Sequence, residues 1–220
     1  MRVVDLGLVG YKDAEALQLK TVAEVTAGEA ENTLFVLEHP KVITLGRQGG
    51  GENLHVSGEF LRGQGIELAQ TARGGNITCH FPGQLVAYPI WRVEKRAGGM
   101  HTFFHDMEEA VITTCAHFGV ATRRRPGHPG VWVDDARKIC SMGIGVKRWV
   151  TYHGLALNVG RDVSLFDLIT LCGIQGARPT SLSAEAGRDI DMKEVKDVFI
   201  KQFRTAFADS TLAADQAAAG

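Results

Sequence analysis

Apolar and polar positions alternate irregularly along the chain, and three stretches settle into helical period. From Asp13 to Thr26, the positions Ala16, Leu19, Val22, Ala23 and Thr26 fall at helical spacing and predict a first helix. A second is predicted after Gly99, where Met100, Phe103, Phe104, Met107, Val111, Thr114 and Phe118 share one broad face. The third opens on Asp191 and Glu194 at capping-box spacing, followed by a stripe of Val195, Val198, Phe199, Phe203, Ala206 and Phe207. The runs TLFVLEH, VITLG, LVAYPIW, VWVDD and TYHGLALNV read as strands. A strict βαβ rhythm is absent, so the expected fold is a single α/β (α+β-like) domain with mixed β-sheets and flanking helices over residues 1–210. The end STLAADQAAAG carries little pattern, and residues 211–220 are expected to form a flexible tail.

Composition narrows the function. In 220 residues, a 45% hydrophobic content supplies a sizeable core. With 24 basic against 25 acidic side chains, the chain lacks the global positive charge of a nonspecific nucleic-acid binder. No stretch reaches the roughly 18 apolar residues of a membrane span, and the start has no apolar run behind a basic flank. Four cysteines, Cys79, Cys115, Cys140 and Cys172, lie far apart without a CxxC pair, which fits reduced thiols in the cytoplasm. Free thiols make thiol chemistry available.

Several motifs are candidates for that chemistry or another. HTFFH sets His101 and His105 on one helical face with Glu108 following, a spacing that can present metal ligands. It lacks the glutamate of HExxH, and a solvated face opposite the phenylalanines accounts for it, so no metal is expected. LGRQGGGENL is glycine-rich but has neither a GK[ST] ending nor GxGxxG, which favours a loop over a nucleotide site and leaves Arg47 as a ligand contact. RRRPGH, from Arg123 to His128, is joined by Arg137, Lys138, Lys147 and Arg148 in a local basic bias suited to an acidic protein or a phosphate, or to a solvated edge.

Three further segments are more demanding. In ARGGNITCHFPGQLVAYPI, Gly74 and Gly75 allow close backbone approach, Pro82 and Gly83 punctuate a turn, and His80 beside it could bind or transfer protons. In DDARKICSMGIGVKRW, Lys138 begins an apolar strand-like run, where burial favours a neutral amine. In LITLCGIQGARPTSL, Gly173 removes bulk beside Cys172 and lets a backbone N–H approach an oxyanion. Cys172 alone reads as core filler or as nucleophile. A lysine at its side would stabilise a thiolate, and spacing cannot establish that meeting.

Taken together, RGGNITCHFPGQLVAYPI, GVWVDDARKICSMGIGVKRWVTYHGLALNV and CGIQGARPTSL resemble the lipoyl(octanoyl) transferases, octanoyl-acyl carrier protein:protein N-octanoyltransferases, from about Leu34 to Leu182. That family is similar to the catalytic domains of biotin and lipoate protein ligases, which implies the same mixed α/β fold. The resemblance makes Cys172 the acyl-thioester nucleophile and Lys138 the lysine that lowers its pKa. It places acyl binding on Arg73, Gly74, Gly75, Asn76, Ile77, Thr78, Cys79 and His80, on Ser141, Met142 and Gly143, and on Gly154, Leu155 and Ala156. It implies transfer of an octanoyl or lipoyl group from acyl carrier protein to a lysine of lipoyl domains, in 2-oxoacid dehydrogenase complexes and the glycine cleavage H protein. That chemistry is the first step of lipoate assembly, and it needs no ATP or metal. The basic stretch from Arg123 is the candidate dock for the acidic carrier.

The chain departs from the family in HFPGQ, where Phe81 replaces the usual glycine and predicts a narrowed or reshaped acyl pocket. Leu171 stands where a proline is common. Two other readings stay open: an ATP-dependent lipoate or biotin protein ligase, and a noncatalytic acyl- or carrier-protein-binding module.

Overall fold

Along Thr33–Glu38 and Gln84–Ile90 nearly every position is apolar, because both faces of the sheet these strands centre are covered. Leu34, Val36, Leu85 and Ala87 point to one face, Phe35, Leu37, Val86 and Tyr88 to the other. The computed structural model describes every residue except 95, 97, 175, 219 and 220, and every side chain among the rest except those of Cys172 and residues 209–218. In chain order the elements are β1 (Arg2–Leu8), α1 (Tyr11–Ala27), β2 (Thr33–Glu38), β3 (Val42–Leu45), α2 (Gly58–Gly63), β4 (Glu67–Gln70), β5 (Ile77–His80), β6 (Gln84–Ile90), α3 (Gly99–His117), β7 (Arg123–Arg124), β8 (Gly130–Trp132), β9 (Arg137–Lys147), β10 (Val150–Asn158), β11 (Arg178–Pro179), α4 (Leu182–Glu185) and α5 (Met192–Ala218).

The larger sheet runs β1-β2-β6-β10-β9-β8-β7, with β11 pairing alongside β9. It is antiparallel except where β1 meets β2 and β11 meets β9. On one face α3 and α5 pack through Phe103, Met107, Val111, Phe199, Phe203 and Phe207. On the other, α1 lays Ala14, Val22 and Val25 against Phe35, Val86 and Ala156. Gly28, left-handed at φ 80°, ends α1 while the Glu29 N–H bonds the Glu24 carbonyl at 2.9 Å. α5 begins at the expected cap, the Asp191 carboxylate accepting from the Glu194 N–H at 3.0 Å, and its helical backbone continues to Ala218 through the segment expected as a tail.

A smaller sheet, β4-β3-β5, has its own core of Ile43, Ile77, Cys79, Phe81, Phe166 and Leu171. The molecule is thus a mixed α/β domain with two sheets and flanking helices, as the irregular element order predicted. Among the described residues no helix is long and apolar enough to cross a membrane.

Candidate active site

The β9–β10 hairpin forms one wall of a cavity of about 490 Å³, in the range of roughly 300–1,000 Å³ usual for small-ligand sites. The hairpin closes through Arg148 and Trp149, both left-handed at φ 49° and 64°, the geometry that matches the twist of a two-residue turn. Its register sets Ser141 opposite Ala156, Met142 opposite Leu155 and Gly143 opposite Gly154, and all six line the cavity. The facing wall is the Arg73–Asn76 segment with Ile77, Thr78 and His80 of β5. The walls meet where the Gly74 N–H bonds the Ile144 carbonyl at 3.0 Å. A Cβ on Gly143 would lie 2.7 Å from the Gly74 carbonyl oxygen, so the approach requires glycine.

Every acyl-binding position expected from the sequence lines this cavity except Cys79. Strand residues alternate faces, so when Thr78 and His80 face the cavity, Cys79 turns into the small-sheet core, with no exposed surface. Phe81 is also corrected: it packs edge-on against Phe166 at 5.8 Å in that core and is absent from the cavity wall.

Arg73 is buried, its guanidinium donating to the Thr44 carbonyl at 2.7 Å, to the Thr44 hydroxyl at 2.9 and 3.1 Å and to the Gly74 carbonyl at 3.1 Å. It braces the loop from behind as well as lining the site. Arg47, exposed at the open side, belongs to the wall as expected, together with Gln48, Gly127 and Pro129.

Lys138 enters the cavity wall as a buried amine, 3% exposed. Its Nζ donates to the Pro129 carbonyl at 2.9 Å and lies 5.0 Å from the centre of the Trp132 ring. Cys172 sits in a 3-10 turn, Leu171–Gly173, and its side chain lies outside the described residues. The turn itself is well anchored: the Thr170 N–H bonds the Asn53 carbonyl at 2.8 Å, and Asn53 Nδ2 donates to Asn76 Oδ1 at 2.9 Å. A Cβ on Gly173 would lie 3.6 Å from Asn76 Cγ, which sets the cysteine turn beside the RGGN segment. The Gly173 N–H is used by the turn, bonding the Thr170 carbonyl at 3.0 Å.

The buried end of the cavity is polar, which sequence reasoning missed. Tyr11, Tyr88 and His153 join His80 there, and His39 packs edge-on against His80 at 5.5 Å. The protonation pattern follows from the partners. His39 Nδ1 meets the Val9 carbonyl at 2.7 Å and must carry hydrogen, so in the neutral ring Nε2 accepts from the Tyr88 hydroxyl at 2.8 Å. Burial lowers the pKa of His39, lowers that of His80 well below its ordinary value and pushes that of His153 down to about 3, with the Arg73 charge adding to the last. Burial also drives the Tyr11 phenol up to about 12 and Tyr88 upward. His80 is oriented by Gln84, whose Oε1 stands 2.7 Å from Nδ1 while its amide donates to Asn158 Oδ1 at 2.9 Å. Only His80 of this group had a sequence signal, its place beside the Pro82–Gly83 turn.

The basic run is largely answered within the chain. Arg123 pairs with Asp135 at 2.8 Å, Arg124 with Glu108 at 3.2 Å and Glu109 at 2.6 Å, and Arg125 covers Trp132 at 4.7 Å. Arg137 is held by Asp134 and Glu185. Glu108 is thereby paired with Arg124, and among the described residues no group of three metal-ligating side chains assembles.

The fold is that of the lipoate and biotin protein ligases. A putative lipoate protein ligase from T. acidophilum with bound lipoic acid superposes with a TM-score of 0.71 at 16% identity, over 94% of this chain and 86% of that one. A biotin protein ligase from Aquifex aeolicus, in complex with biotin and ATP, gives 0.56 at 15% identity over 93% and 69%. The chain belongs to the lipoyl protein ligase A/B catalytic domain family, which matches residues 10–204. It is 63% identical to the octanoyltransferase of Nitratidesulfovibrio vulgaris Miyazaki F, over 99% of this chain and 100% of that protein. With the octanoyltransferase of Maridesulfovibrio salexigens it shares 57%, over 97% and 100%.

Proposed function

We propose that this protein is an octanoyltransferase that carries the acyl group on Cys172. The observation that carries the reading is the 63% identity to an octanoyltransferase over the whole of that protein. The site supports it with a buried amine, Lys138, on the wall of a cavity beside the cysteine turn.

In the first step the Cys172 thiolate attacks the thioester carbonyl of octanoyl-acyl carrier protein. The new C–S bond forms as the pantetheine thiolate leaves and takes up a proton. In the second step the ε-amine of a lipoyl-domain lysine attacks the acyl-enzyme, an amide forms and Cys172 leaves as thiolate. Exchange between thioesters is nearly balanced and aminolysis runs downhill, so neither ATP nor metal is required. Lys138 stabilises the thiolate as an ammonium, gives its proton to the departing pantetheine thiolate in the first step and, left neutral, takes the proton shed by the attacking amine in the second, a contribution typically worth about 10²–10⁴-fold. Methylenes of the acyl chain bury against the glycine-lined walls at about 0.8 kcal/mol each. The acceptors are lipoyl domains, including those of 2-oxoacid dehydrogenase complexes and the glycine cleavage H protein, and the chemistry is that of the cytoplasm.

The test is intact-mass analysis after mixing the protein with octanoyl-acyl carrier protein, followed by addition of an apo lipoyl domain without ATP. An octanoyl adduct on Cys172 that passes to the lipoyl domain is expected, and Cys172→Ser should abolish both. Transfer that occurs only with ATP and free octanoate would make the protein a ligase, and the absence of any adduct would make it a binding module.

A further inference from the structure

We propose that Glu108 is a positioning residue for Lys138, coupled to it through the Pro129–Gly130 peptide group. The two hydrogen bonds that define this link fall on opposite ends of one amide. Lys138 Nζ donates to the Pro129 carbonyl at 2.9 Å, and the Gly130 N–H of the same peptide donates to Glu108 Oε1 at 3.0 Å. A carboxylate drawing on the N–H enriches the carbonyl oxygen through amide resonance, and an ammonium on that oxygen enhances the N–H as donor, so each bond strengthens the other. The result is an ammonium, a peptide and a carboxylate in series.

The geometry is built for this purpose on both sides. Gly130 takes φ 121°, and a Cβ there would lie 2.7 Å from Lys138 Cε and 2.4 Å from the Cys140 carbonyl, so the peptide approaches the lysine only as glycine. Glu108 projects from α3 with its side chain 12% exposed and is fixed by Arg124 Nε at 3.2 Å. Arg124 is fixed in turn by the His105 carbonyl at 3.0 Å and by Glu109. The charged and titratable groups around the peptide are therefore Glu108, Glu109, His101 and His105 from α3, Arg124 from β7, Arg125 and His128 from the following loop, and Lys138 and Cys140 from β9. In this low-exposure setting the carboxylate's charge reaches further than it would in water. Glu108 thus stands to Lys138 as an orienting acid stands to a catalytic base, with a peptide bond in place of direct contact.

The inference rests on the reading of Lys138 as the partner of the Cys172 thiolate, and the experiment separates the two. Iodoacetamide alkylation of Cys172, followed by mass spectrometry across pH, reads thiolate formation without turnover. Octanoyl transfer gives kcat and KM. Glu108→Gln keeps an acceptor for the Gly130 N–H but removes the charge. It is expected to lower kcat roughly 10-fold with KM little changed, and to move the alkylation midpoint to higher pH by about half a unit, the scale of one lost charge-assisted bond. In a Lys138→Met background the same change should leave the alkylation midpoint where Lys138→Met alone puts it, since the relay has lost its far end. Should Glu108→Gln match the wild type in kcat and midpoint while Lys138→Met is inactive, the relay is wrong and the reading of Lys138 survives. Should Lys138→Met keep both its midpoint and its turnover, that reading fails and the relay fails with it. Should Glu108→Gln act equally in both backgrounds, Glu108 is structural only. Arg124→Gln, which frees the Glu108 carboxylate without touching the peptide, is expected to give the same midpoint shift in smaller measure if Glu108→Gln folds poorly.

Discussion

Thr180 donates its backbone N–H to the carbonyl oxygen of Lys138 at 2.9 Å, so the chain leaving the Cys172 turn is locked to the strand that bears the lysine. The tie extends the parallel pairing of β11 with β9, where Arg178 faces Arg137 and Pro179 faces Lys138. The Thr180 carbonyl is held as well, by Asn158 Nδ2 at 2.9 Å, and Asn158 Oδ1 accepts from Gln84, the residue that orients His80. Four segments, at residues 80–84, 138, 158 and 180, therefore share one buried hydrogen-bonded chain.

Asn158 is the hinge of that chain, and Asn158→Ala would leave the Thr180 carbonyl and the Gln84 amide short of a partner in a buried place. The expected cost is about 1–3 kcal/mol of stability, the usual penalty for orphaned buried polar groups. A larger fractional loss of kcat should accompany it, because Lys138 and His80 both lose register. Denaturant unfolding and transfer kinetics on the same preparation check this, and a variant with unchanged stability would show the chain to be dispensable.

Gly143→Ala tests the contact between the two walls. Its Cβ would sit 2.7 Å from the Gly74 oxygen, a backbone atom that cannot step aside, so the loop must move away from β9. Overpacking of this kind costs roughly 1–3 kcal/mol, and the displaced wall should raise KM for the acyl donor more than it lowers kcat. Kinetics with octanoyl and shorter donors would reveal it, and an unaltered KM would mean that the walls are more compliant than the structure implies.

Much of this arrangement was legible in the sequence, for identifiable reasons. The helices and central strands announced themselves because burial of one face, or of both, imposes a period on the residues, as in Val195 to Phe207 and in LVAYPIW. β1 escaped notice because Arg2, Asp5 and Gly7 interrupt a short edge strand whose order comes from pairing with β2. At the site, RGGN and SMG could be read because close backbone approach demands glycine. Tyr11 and His153 could not, since each is brought in by tertiary packing and neither stands in a telling local pattern, and Glu108 showed only as a neighbour of His101 and His105, not as a partner of the Gly130 peptide. Cys79 was misassigned for the simplest reason: a contiguous motif on a strand presents alternate residues to opposite faces.

The cysteines should divide sharply by reactivity. Cys79, Cys115 and Cys140 are buried, and burial pushes the Cys115 thiol up to about 12 and the Cys140 thiol higher still despite the nearby Lys138 charge. Thiolates are the reactive species, so these thiols should resist iodoacetamide near neutral pH while the native fold persists. Peptide mapping is expected to find modification on Cys172 alone until denaturant is added. Prompt labelling of Cys140 in the native protein would mean that the β9 region opens far more readily than its packing suggests.

The histidine cluster at the buried end predicts how stability responds to acid. His39, His80 and His153 all have folded pKa values below the ordinary value of about 6.5 because burial disfavours the imidazolium. Below that pH the unfolded chain takes up protons that the folded chain refuses, so falling pH favours unfolding. Each such histidine contributes a slope of up to about 1.4 kcal/mol per pH unit, beginning as pH drops through about 6.5 and ending only near its folded pKa. Glu15 works in the opposite sense, since burial raises its pKa, but its effect is confined to the carboxylate range at lower pH. Between about pH 6.5 and 5 the histidines therefore dominate, and the unfolding free energy should fall by more than about 1 kcal/mol per pH unit. His153→Gln removes the group pushed down to about 3 and should flatten that slope. Guanidinium titrations at closely spaced pH values measure it directly, and a stability that stays level across the window would show that the cluster is hydrated or already protonated in the folded protein.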